Sequence, residues 1–431
     1  MGGRPAVWSD GAVRILLLAA GSRGDVQPFV ALALGLQRAG HEVTVSAARD
    51  FEGFVTGHGL AFHGFSVEVR ELLDSDLGRS WLGHSSHRSM LELTLLTEMV
   101  ETWGVALVDE MAALAGTADL FISSVMTVDA AKALVEAGGG RHVLGLLAPF
   151  APTRAGWATH QAPRPRSVSR ANLVAARVMN WFLAGAFGAP GIEVRHALGL
   201  PPTSKREFAR SLVRTPTVVG VSPSVLPRPV DWPGHIDIAG YWFLDAQTDW
   251  TPPVELAAFL GAGEPPVYVG FGSMSTHDSG GTTNLVLDAV ARVGCRAVVH
   301  RGAAGLDADR MPDDVLMVDD VPHEWLLPRC AAVVHHGGAG TTAAGLRAGV
   351  PSAAVAHIGD QPYWGRRLHE LGVGAAPMRR HEATPETLAR MLDTLTGSPD
   401  LAARAAELGE RIHGEDGVGA AVRLIERDTT G

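Results

Sequence analysis

Short apolar runs alternate with stretches of helical periodicity in the first part of the chain. Residues 14–20 form an apolar run that is typical of a buried parallel strand. The segment after it places Phe29, Leu32, Ala33 and Leu36 on one helix face and reaches Gly40, a residue typical of a helix C-terminus. This pattern predicts a strand, a turn and a helix.

The same alternation continues to about residue 147. Further apolar runs at 41–48, 118–124 and 141–147 predict strands, and 128–138 predicts a helix between the last two. Strands that alternate with helices are typical of a parallel sheet covered on both faces. We therefore predict a doubly wound α/β domain.

A second alternating region begins after a proline-rich stretch at 221–234, which can neither continue a helix nor pair centrally in a sheet. It contains a predicted helix at 283–294 and predicted strands at 265–274, 295–300, 314–321, 331–336 and 352–357. We predict a first domain over 1–222, a linker over 223–240, a second domain over 241–404 and a terminal helical segment over 405–431.

Two apolar segments interrupt the alternation in the first domain. Residues 64–110 and 150–192 are rich in Leu, Met and Trp. Insertions of this kind often form the walls of a binding pocket, but helices that merely pack on the sheet fit the same pattern.

Composition narrows the class of protein. The 431 residues are 46% hydrophobic and 19% charged, as expected for a globular chain, and the net charge of -10 argues against non-specific nucleic-acid binding. The two cysteines, Cys295 and Cys330, indicate neither a disulfide framework nor a metal cluster. The first residues lack an apolar signal core, and no apolar run reaches the roughly 20 residues of a membrane span. These features predict a soluble cytoplasmic protein.

Three turns follow predicted strands, at the sheet edge where ligands bind in open α/β folds. They are "GSRGDVQP" at 21–28, "GFGSMS" at 270–275 and "HHGGAGTT" at 335–342. The third combines three glycines with two threonines at a helix start, which favours an anion such as phosphate. It matches neither the P-loop nor the GxGxxG pattern, and a plain glycine-rich turn remains an equal alternative.

Asp25 in the first turn has two interpretations. It is placed to be the N-cap of a helix that begins near Val26. It is equally placed to act as a general base toward a ligand. The local sequence does not decide between the two.

Metal binding has little support in the sequence. The acidic pairs at 74–76 and 307–309 lie in polar stretches typical of solvated surface, and His58, His63, His84 and His87 lack a zinc-site spacing. We predict no metal site.

Four stretches together resemble the inverting, two-domain GT-B glycosyltransferases that use nucleotide sugars. They are 21–45, 231–242, 265–274 and, most specifically, 318–374, which contains "VPHEWL", "HHGGAGTT" and "GDQPYW". The similarity is greatest to the sterol glucosyltransferase branch and to bacterial enzymes that glycosylate polyketide, terpenoid or glycopeptide aglycones. It implies two Rossmann-like domains facing a central cleft, with the terminal helix crossing back to the first domain.

The resemblance also implies roles for the matching residues. Asp25 is implied to be the catalytic base, and His336 to contact the donor diphosphate. The other implied donor-binding residues are Ser22, Arg23, Gly24, Gly272, Ser273, Val321, His323, Gly338, Gly340, Thr341, Thr342, Asp360, Gln361 and Trp364. Within the two insertions, the candidates for acceptor binding are Trp81, His84, Met90, Phe150 and Trp181.

One position departs from the pattern of many relatives. They use a histidine base supported by an aspartate on a later strand, whereas this chain has Asp25 as the base and Ser124 at the supporting position. An aspartate needs no second carboxylate to orient it, and the sterol-like branch shares this arrangement.

The resemblance implies a single displacement with inversion at the anomeric carbon, without a cofactor or metal. UDP-glucose is the expected donor, with another nucleoside diphosphate sugar such as a dTDP-deoxysugar as the alternative. The acceptor is expected to be a sterol, triterpenoid or polyketide aglycone. The protein is expected to be a monomer or weak dimer with a possible peripheral membrane contact and no nucleic-acid partner. A nucleotide-sugar epimerase on the same fold is the alternative function; the apolar insertions favour the transferase, because an epimerase needs no acceptor pocket.

Overall fold

The computed structural model describes residues 11–84, 89–245, 250–271, 279–301, 311–319 and 321–430. The chain divides into two compact units. The first comprises Met1–Ser75, Leu93–Leu244 and Asp416–Gly431, and the second comprises Asp76–Glu92 and Asp245–Glu415.

The first unit is built on a seven-stranded parallel sheet of order β3-β2-β1-β4-β5-β6-β7. Its strands are β1 Arg14–Leu18, β2 Glu42–Ala48, β3 Ala61–Phe65, β4 Leu120–Ser123, β5 Arg141–Leu146, β6 Thr217–Val219 and β7 Ile236–Ile238. Because β1 pairs with β2 on one side and β4 on the other, the chain reverses its direction of travel across the sheet at β1. Such a reversal leaves a crevice at the carboxyl ends of the two central strands.

The second unit has a six-stranded parallel sheet of order β10-β9-β8-β11-β12-β13. Its strands are β8 Val267–Gly270, β9 Ala297–His300, β10 Val315–Val318, β11 Ala332–His335, β12 Ser352–Ala356 and β13 Met378–Arg379. The order reverses between β8 and β11, so the second crevice lies at the carboxyl ends of these two strands.

Helices cover the sheets and connect their strands. They are α1 Arg23–Arg38, α2 Glu52–Thr56, α3 Val69–Asp74, α4 Asp76–His84, α5 Ser89–Ala106, α6 Val108–Ala112, α7 Val128–Gly138, α8 Arg170–Ala197, α9 Lys205–Arg214, α10 Val254–Gly261, α11 Ser279–Val293, α12 His323–Leu326, α13 Ala339–Arg347, α14 Gln361–Leu371, α15 Pro385–Gly397, α16 Pro399–His413 and α17 Gly417–Thr430. Among the helices in the described part of the chain, none is long and apolar enough to cross a bilayer.

The central strands are apolar at nearly every position because both faces of each sheet are covered. In β1, Ile15 and Leu17 pack into one core with α1, while Leu16 and Leu18 pack into a second core with α7. The sheet of the second unit likewise separates two cores. The predicted pair of doubly wound α/β domains is therefore confirmed.

The predicted boundaries differ from those in the structure. β7 lies inside the segment 223–240 that was predicted as a linker, and Trp242 packs edge-on against Phe29 in the core of the first unit. The terminal segment is two helices rather than one, because α16 belongs to the second unit and α17 to the first. The sequence did not indicate where the first domain ends, because the chain returns to the first sheet through β7, a strand of only three residues.

α17 lies directly on α1. Ala421, Val422 and Ile425 are buried in the same core as the apolar face of α1. A Cβ atom at Gly35 would lie 2.4 Å from a methyl carbon of Val418, so the two helices approach closely at this glycine.

We expect Gly417→Ala to destabilise the first unit. A Cβ at position 417 would lie 2.2 Å from the backbone oxygen of Tyr241, and backbone cannot move aside as a flexible side chain can. Overpacking of this kind costs about 1–3 kcal/mol. The measurement is the urea unfolding midpoint, and Gly414→Ala is the matched control, because the nearest atom to its added Cβ lies at 3.5 Å. Equal midpoints for the two variants would contradict the close approach.

Candidate active site

Asp25 lies in the first turn of α1, just beyond the carboxyl end of β1. Its Oδ2 accepts hydrogen bonds from the Ser22 backbone N–H at 2.8 Å and from the Ser22 hydroxyl at 3.0 Å. Ser22 is the N-cap and Asp25 the third helical residue, so the pair forms a capping box. Asp25 is therefore not the N-cap, which lies three residues earlier at Ser22. Its carboxylate nevertheless stabilises the start of the helix by accepting the Ser22 N–H.

Gly21 allows this carboxylate to fold back over the strand end. Its φ of +122° is unfavourable for residues with a side chain, and a Cβ there would lie 2.4 Å from Asp25 Oδ2. The Asp25 side chain is half-buried. Loss of solvation raises the pKa of Asp25 above its usual range, while the two hydrogen bonds from Ser22 lower it. The net upward shift is typical of a carboxylate placed to accept a proton.

Ser124 has a structural function at the neighbouring strand end. Its N–H donates to the Leu18 carbonyl at 3.2 Å, and Thr127 Oγ1 donates to the same carbonyl at 2.9 Å. The Ser124 hydroxyl lies 3.2 Å from Thr127 Oγ1. These bonds join the loop after β4 to the end of β1, and so fix the crevice in which Asp25 lies.

Arg23 and Gly24 are exposed on the outer side of the same turn. The Arg23 guanidinium stacks on the Phe54 ring at 4.5 Å and donates to Gln27 Oε1 at 3.2 Å. Arg23 is thus engaged by its own unit, a contact that the sequence did not predict.

In the second unit, two histidines follow β11 and differ in their surroundings. His335 is fully buried, and its Nδ1 accepts a hydrogen bond from the Gly337 N–H at 2.9 Å. This bond places the ring proton on Nε2. Desolvation keeps the pKa of His335 well below its usual value, so His335 is a neutral structural residue.

His336 is half-buried, with its ring over the start of α13. A Cβ at Gly338 would lie 2.4 Å from His336 Nε2, so a side chain at position 338 would displace the His336 ring. Desolvation lowers the pKa of His336 to about 4, although the nearby Gly270 carbonyl raises it. His336 is therefore neutral at physiological pH and can act as a hydrogen-bond donor or acceptor without carrying charge.

The start of α13 offers backbone donors at the crevice between β8 and β11. Gly338 is the N-cap and has no side chain to bond the first N–H groups, so the amides of the first turn can bind an anion. Gly340 is exposed and Thr341 half-buried. Thr342 is buried and its hydroxyl donates to the Gly338 carbonyl at 2.8 Å, so this side chain forms its hydrogen bond within the first turn of α13.

Asp360, Gln361 and Trp364 meet at the start of α14. Trp364 is buried, and its Nε1 donates to Asp360 Oδ2 at 2.8 Å. Gln361 Oε1 accepts from the backbone N–H groups of His357 and Ile358 at 2.8 and 3.0 Å. Gln361 and Trp364 therefore shape the turn, and Asp360, half-buried at the helix N-cap, is the member placed closest to the surface.

His323 begins α12 and has a partner that the sequence did not predict. Its Nε2 lies 3.1 Å from the Tyr268 hydroxyl, and the two rings pack edge-on. Val321 is half-buried two residues before it. The tyrosine comes from β8, so strand pairing fixes the position of the histidine. Gly272 and Ser273 lie outside the described residues.

The candidate acceptor residues are dispersed. Phe150 lines a small depression at the carboxyl end of β5, together with Ala158, His160, Met179 and Asn180. Trp181 is 53% exposed and points away from it. Trp81 is half-buried in α4, which belongs to the second unit. The side chains of His84 and Met90 lie outside the described residues.

Asn180 is a residue that the sequence prediction missed. Its side chain is 3% exposed, and its Nδ2 has no hydrogen-bond partner among the described residues. It lines the depression beside Phe150, whose ring packs on His160 with a centroid distance of 4.8 Å. A polar residue within the apolar sequence "VMNWFLAG" was the available signal.

No group of three or more metal-ligating side chains occurs within the described segments.

Two family models match the chain. Residues 15–136 match the glycosyltransferase family 28 N-terminal domain, and residues 284–416 match the C-terminal domain of proteins like erythromycin biosynthesis protein CIII. The first match contains Asp25, and the second contains His336 and Asp360.

Relatives match almost the whole chain. It is 33% identical over 428 residues to the sterol 3-beta-glucosyltransferase UGT80B1 of Arabidopsis thaliana, covering 96% of this chain and 68% of that protein. It is 32% identical to a sterol 3-beta-glucosyltransferase of Emericella nidulans, covering 96% of this chain but 30% of the relative. The Streptomyces sp. SF2575 glycosyltransferase SsfS6, solved in complex with thymidine diphosphate, superposes with a TM-score of 0.63 at 21% identity, covering 96% of this chain and 99% of that one.

Proposed function

This chain belongs to the GT-B family of nucleotide-sugar glycosyltransferases that includes the sterol 3-beta-glucosyltransferases, and on that premise we propose that it glucosylates a hydroxyl of a bulky polycyclic acceptor. UDP-glucose is the proposed donor, and the acceptor class is sterols, triterpenoids or polyketide aglycones. The observation that carries the proposal is the pair of crevices: Asp25 lies at the one in the first unit, and His336 with the start of α13 at the one in the second.

In the proposed reaction the acceptor oxygen attacks the anomeric carbon of the donor as the nucleoside diphosphate leaves from the opposite face. Asp25 accepts the proton of the acceptor hydroxyl. Its partial desolvation suits this function, because a carboxylate with a raised pKa is a stronger base than an ordinary one. Ser22 supports the proposal by holding the carboxylate in one orientation.

The leaving group carries increasing negative charge as the glycosidic bond breaks. We assign its stabilisation to the first-turn amides of α13 and to a hydrogen bond from His336. The low pKa of His336 supports a neutral donor rather than a positive charge. Asp360 is proposed to accept hydrogen bonds from sugar hydroxyls, with Val321 and His323 on the side of the nucleotide base.

We expect Trp364→Phe to lower kcat/KM for the donor by about tenfold or more. Phe retains most of the buried ring but lacks the N–H that holds Asp360, and a hydrogen bond to a charged group contributes about 1.5–3 kcal/mol. Steady-state kinetics with varied donor measures the effect. Tyr363→Phe is the matched control, because it alters the adjacent buried aromatic and leaves the Asp360 bond in place. Equal losses in the two variants would contradict a positioning role for Trp364.

The depression beside Phe150 and Asn180 is proposed to hold one end of the acceptor. The depression is small, so we propose that it receives only one end of the acceptor and that the rest of a polycyclic molecule lies outside it. Asn180 Nδ2, which is buried and lacks a hydrogen-bond partner among the described residues, is proposed to donate to a polar group on that part once the acceptor is bound. We propose that the protein acts as a monomer or weak dimer.

A panel of sterols, triterpenoids and macrolide aglycones, each tested with UDP-glucose and dTDP-glucose, tests the proposal. Nucleoside diphosphate release that requires the acceptor, with a glycoside as product, is the expected result. An epimer of the donor sugar formed without acceptor would instead support the epimerase alternative.

A further inference from the structure

The outer face of α8 exposes a continuous apolar stripe. Val174, Val178 and Trp181 are 59%, 48% and 53% exposed, and Phe182 beside them is exposed as well. Single exposed apolar residues are common on protein surfaces, but here three of them recur at helical spacing along two turns. A contiguous exposed apolar surface of this kind is typical of a site that binds another molecule.

The surroundings of the stripe are positively charged in an acidic protein. From 151 to 192 the chain has five arginines and no Asp or Glu, whereas its net charge is -10. Arg170 and Arg177 are exposed on α8, and Arg164 and Arg166 are exposed in the loop before it. On the other side, Lys205 Nζ lies 3.5 Å from the point where a Cβ at Gly185 would be.

The described part of the chain supplies no carboxylate partner to these arginines. Within the described segments, Arg164, Arg166, Arg170 and Arg177 form no ion pair with a carboxylate. Arginines on other surfaces of the molecule do, as Arg49 does with Glu68 and Arg427 with Asp237. The charge beside the stripe is therefore available to an external anion.

We infer that this face of α8 docks on an anionic phospholipid bilayer. Apolar side chains with an aromatic residue, flanked by arginines, are the features of a helix that lies in the membrane interface. Arg170 and Arg177 contact lipid phosphates, while Val174, Val178 and Trp181 enter the acyl boundary. The negative surface of the bilayer complements the positive charge of the arginines on and before α8. This local charge is opposite in sign to the net charge of the whole chain, which is -10.

The two sides of α8 then have related functions. At about 3.6 residues per turn, positions 170, 174, 177, 178 and 181 lie on one side of the helix, and 175, 176, 179 and 180 lie on the other. The second set lines the depression that contains Phe150. If the proposed function holds, α8 brings the acceptor depression to a membrane in which apolar acceptors dissolve; membrane binding itself does not depend on that proposal.

Flotation with lipid vesicles tests the inference on the full chain. Vesicles of phosphatidylcholine alone are compared with vesicles that also contain phosphatidylglycerol, at low and high salt. We expect binding only with phosphatidylglycerol, weakened by salt, and lowered at least about tenfold in Arg170→Glu/Arg177→Glu, because each basic residue near such a surface contributes about fivefold. Val174→Ser/Val178→Ser is expected to lower binding several-fold.

The control variant Val254→Ser/Arg390→Glu changes an exposed valine and an exposed arginine of the second unit and should bind as the parent does. All variants are checked for thermal unfolding and for transfer to a water-soluble acceptor, which should be unchanged. Absence of binding to phosphatidylglycerol vesicles at low salt would overturn the inference, and so would equal losses in the control and the α8 variants. Absence of sugar transfer by the unmodified protein would instead contradict the proposed function, and the flotation result would remain valid.

Discussion

Asp25→Asn is expected to lower kcat by at least about 10²-fold, with little change in the dissociation constant of the donor. A positioned general base contributes about 10²–10⁴-fold in rate, and the amide of Asn cannot accept the proton. Asn has the same shape and still offers an oxygen to the two donors of Ser22. Single-turnover kinetics and calorimetric donor titration separate the chemical step from binding.

Stability provides the first control for this variant. The folded-state pKa of Asp25 is raised, so its contribution to stability is present below the unfolded pKa and is lost as pH rises through the folded value. The ionised carboxylate is therefore a cost at neutral pH. We expect the Asn variant to unfold at the same temperature as the parent or a higher one at neutral pH, and turnover near the parent's rate would contradict the base assignment.

Ser22→Ala provides the second control. It removes the hydroxyl bond to Asp25 and leaves the backbone bond, and the lost bond is one that lowers the pKa of Asp25. We expect the acidic limb of the rate profile to move to higher pH, with activity recovered at alkaline pH. A Ser22–Asp25 pair that only capped the helix and took no part in catalysis would leave the pH of the acidic limb unchanged.

His336→Ala is expected to lower kcat by about 10²–10³-fold, the usual effect of removing one preorganised donor to a developing negative charge. The pKa of His336 is lowered to about 4, so the imidazole is neutral across the working range and its loss changes no net charge. The defect should therefore be constant between pH 6 and 8, a window above the titration of this histidine.

His336→Gln distinguishes hydrogen bonding from charge. The terminal amide of Gln places an N–H near the position of imidazole Nε2. We therefore expect kcat of His336→Gln to be at least about tenfold higher than kcat of His336→Ala. The rate is measured with saturating donor and acceptor. A loss in His336→Gln equal to that in His336→Ala, or a defect in donor binding alone, would contradict the assignment.

The sequence predicted the central elements of both units well. The runs at 14–20, 141–147 and 352–357 are apolar except at their ends because parallel strands inside a sheet are buried on both faces, and they correspond to β1, β5 and β12. The strands β3, β6, β7 and β13 were missed. β6, β7 and β13 have only two or three residues, which is too short for a readable pattern, and β3 has the sequence AFHGF, in which His63 and Gly64 interrupt the apolar run. The family resemblance and the GT-B fold are confirmed by the relatives and by the superposed structure.

The candidate site could be predicted in its residue types and only partly in its contacts. The bonds of Ser22 with Asp25 and of Trp364 with Asp360 span three and four residues, so helical geometry makes them local. The contact of Tyr268 with His323 joins residues 55 positions apart and depends on strand pairing. The depression with Asn180 depends on how α8 packs beside the loop after β5, which no local pattern encodes.

The return of α17 to the first unit has a consequence for biosynthesis. Both segments of the second unit lie, in chain order, within the first, because 416–431 supplies part of the core around α1. Domains usually fold from the N-terminus as the ribosome delivers them. Here the nascent first unit retains an uncovered apolar groove on α1 until synthesis has passed Ile425, so its core is completed only after the whole second unit has been synthesised.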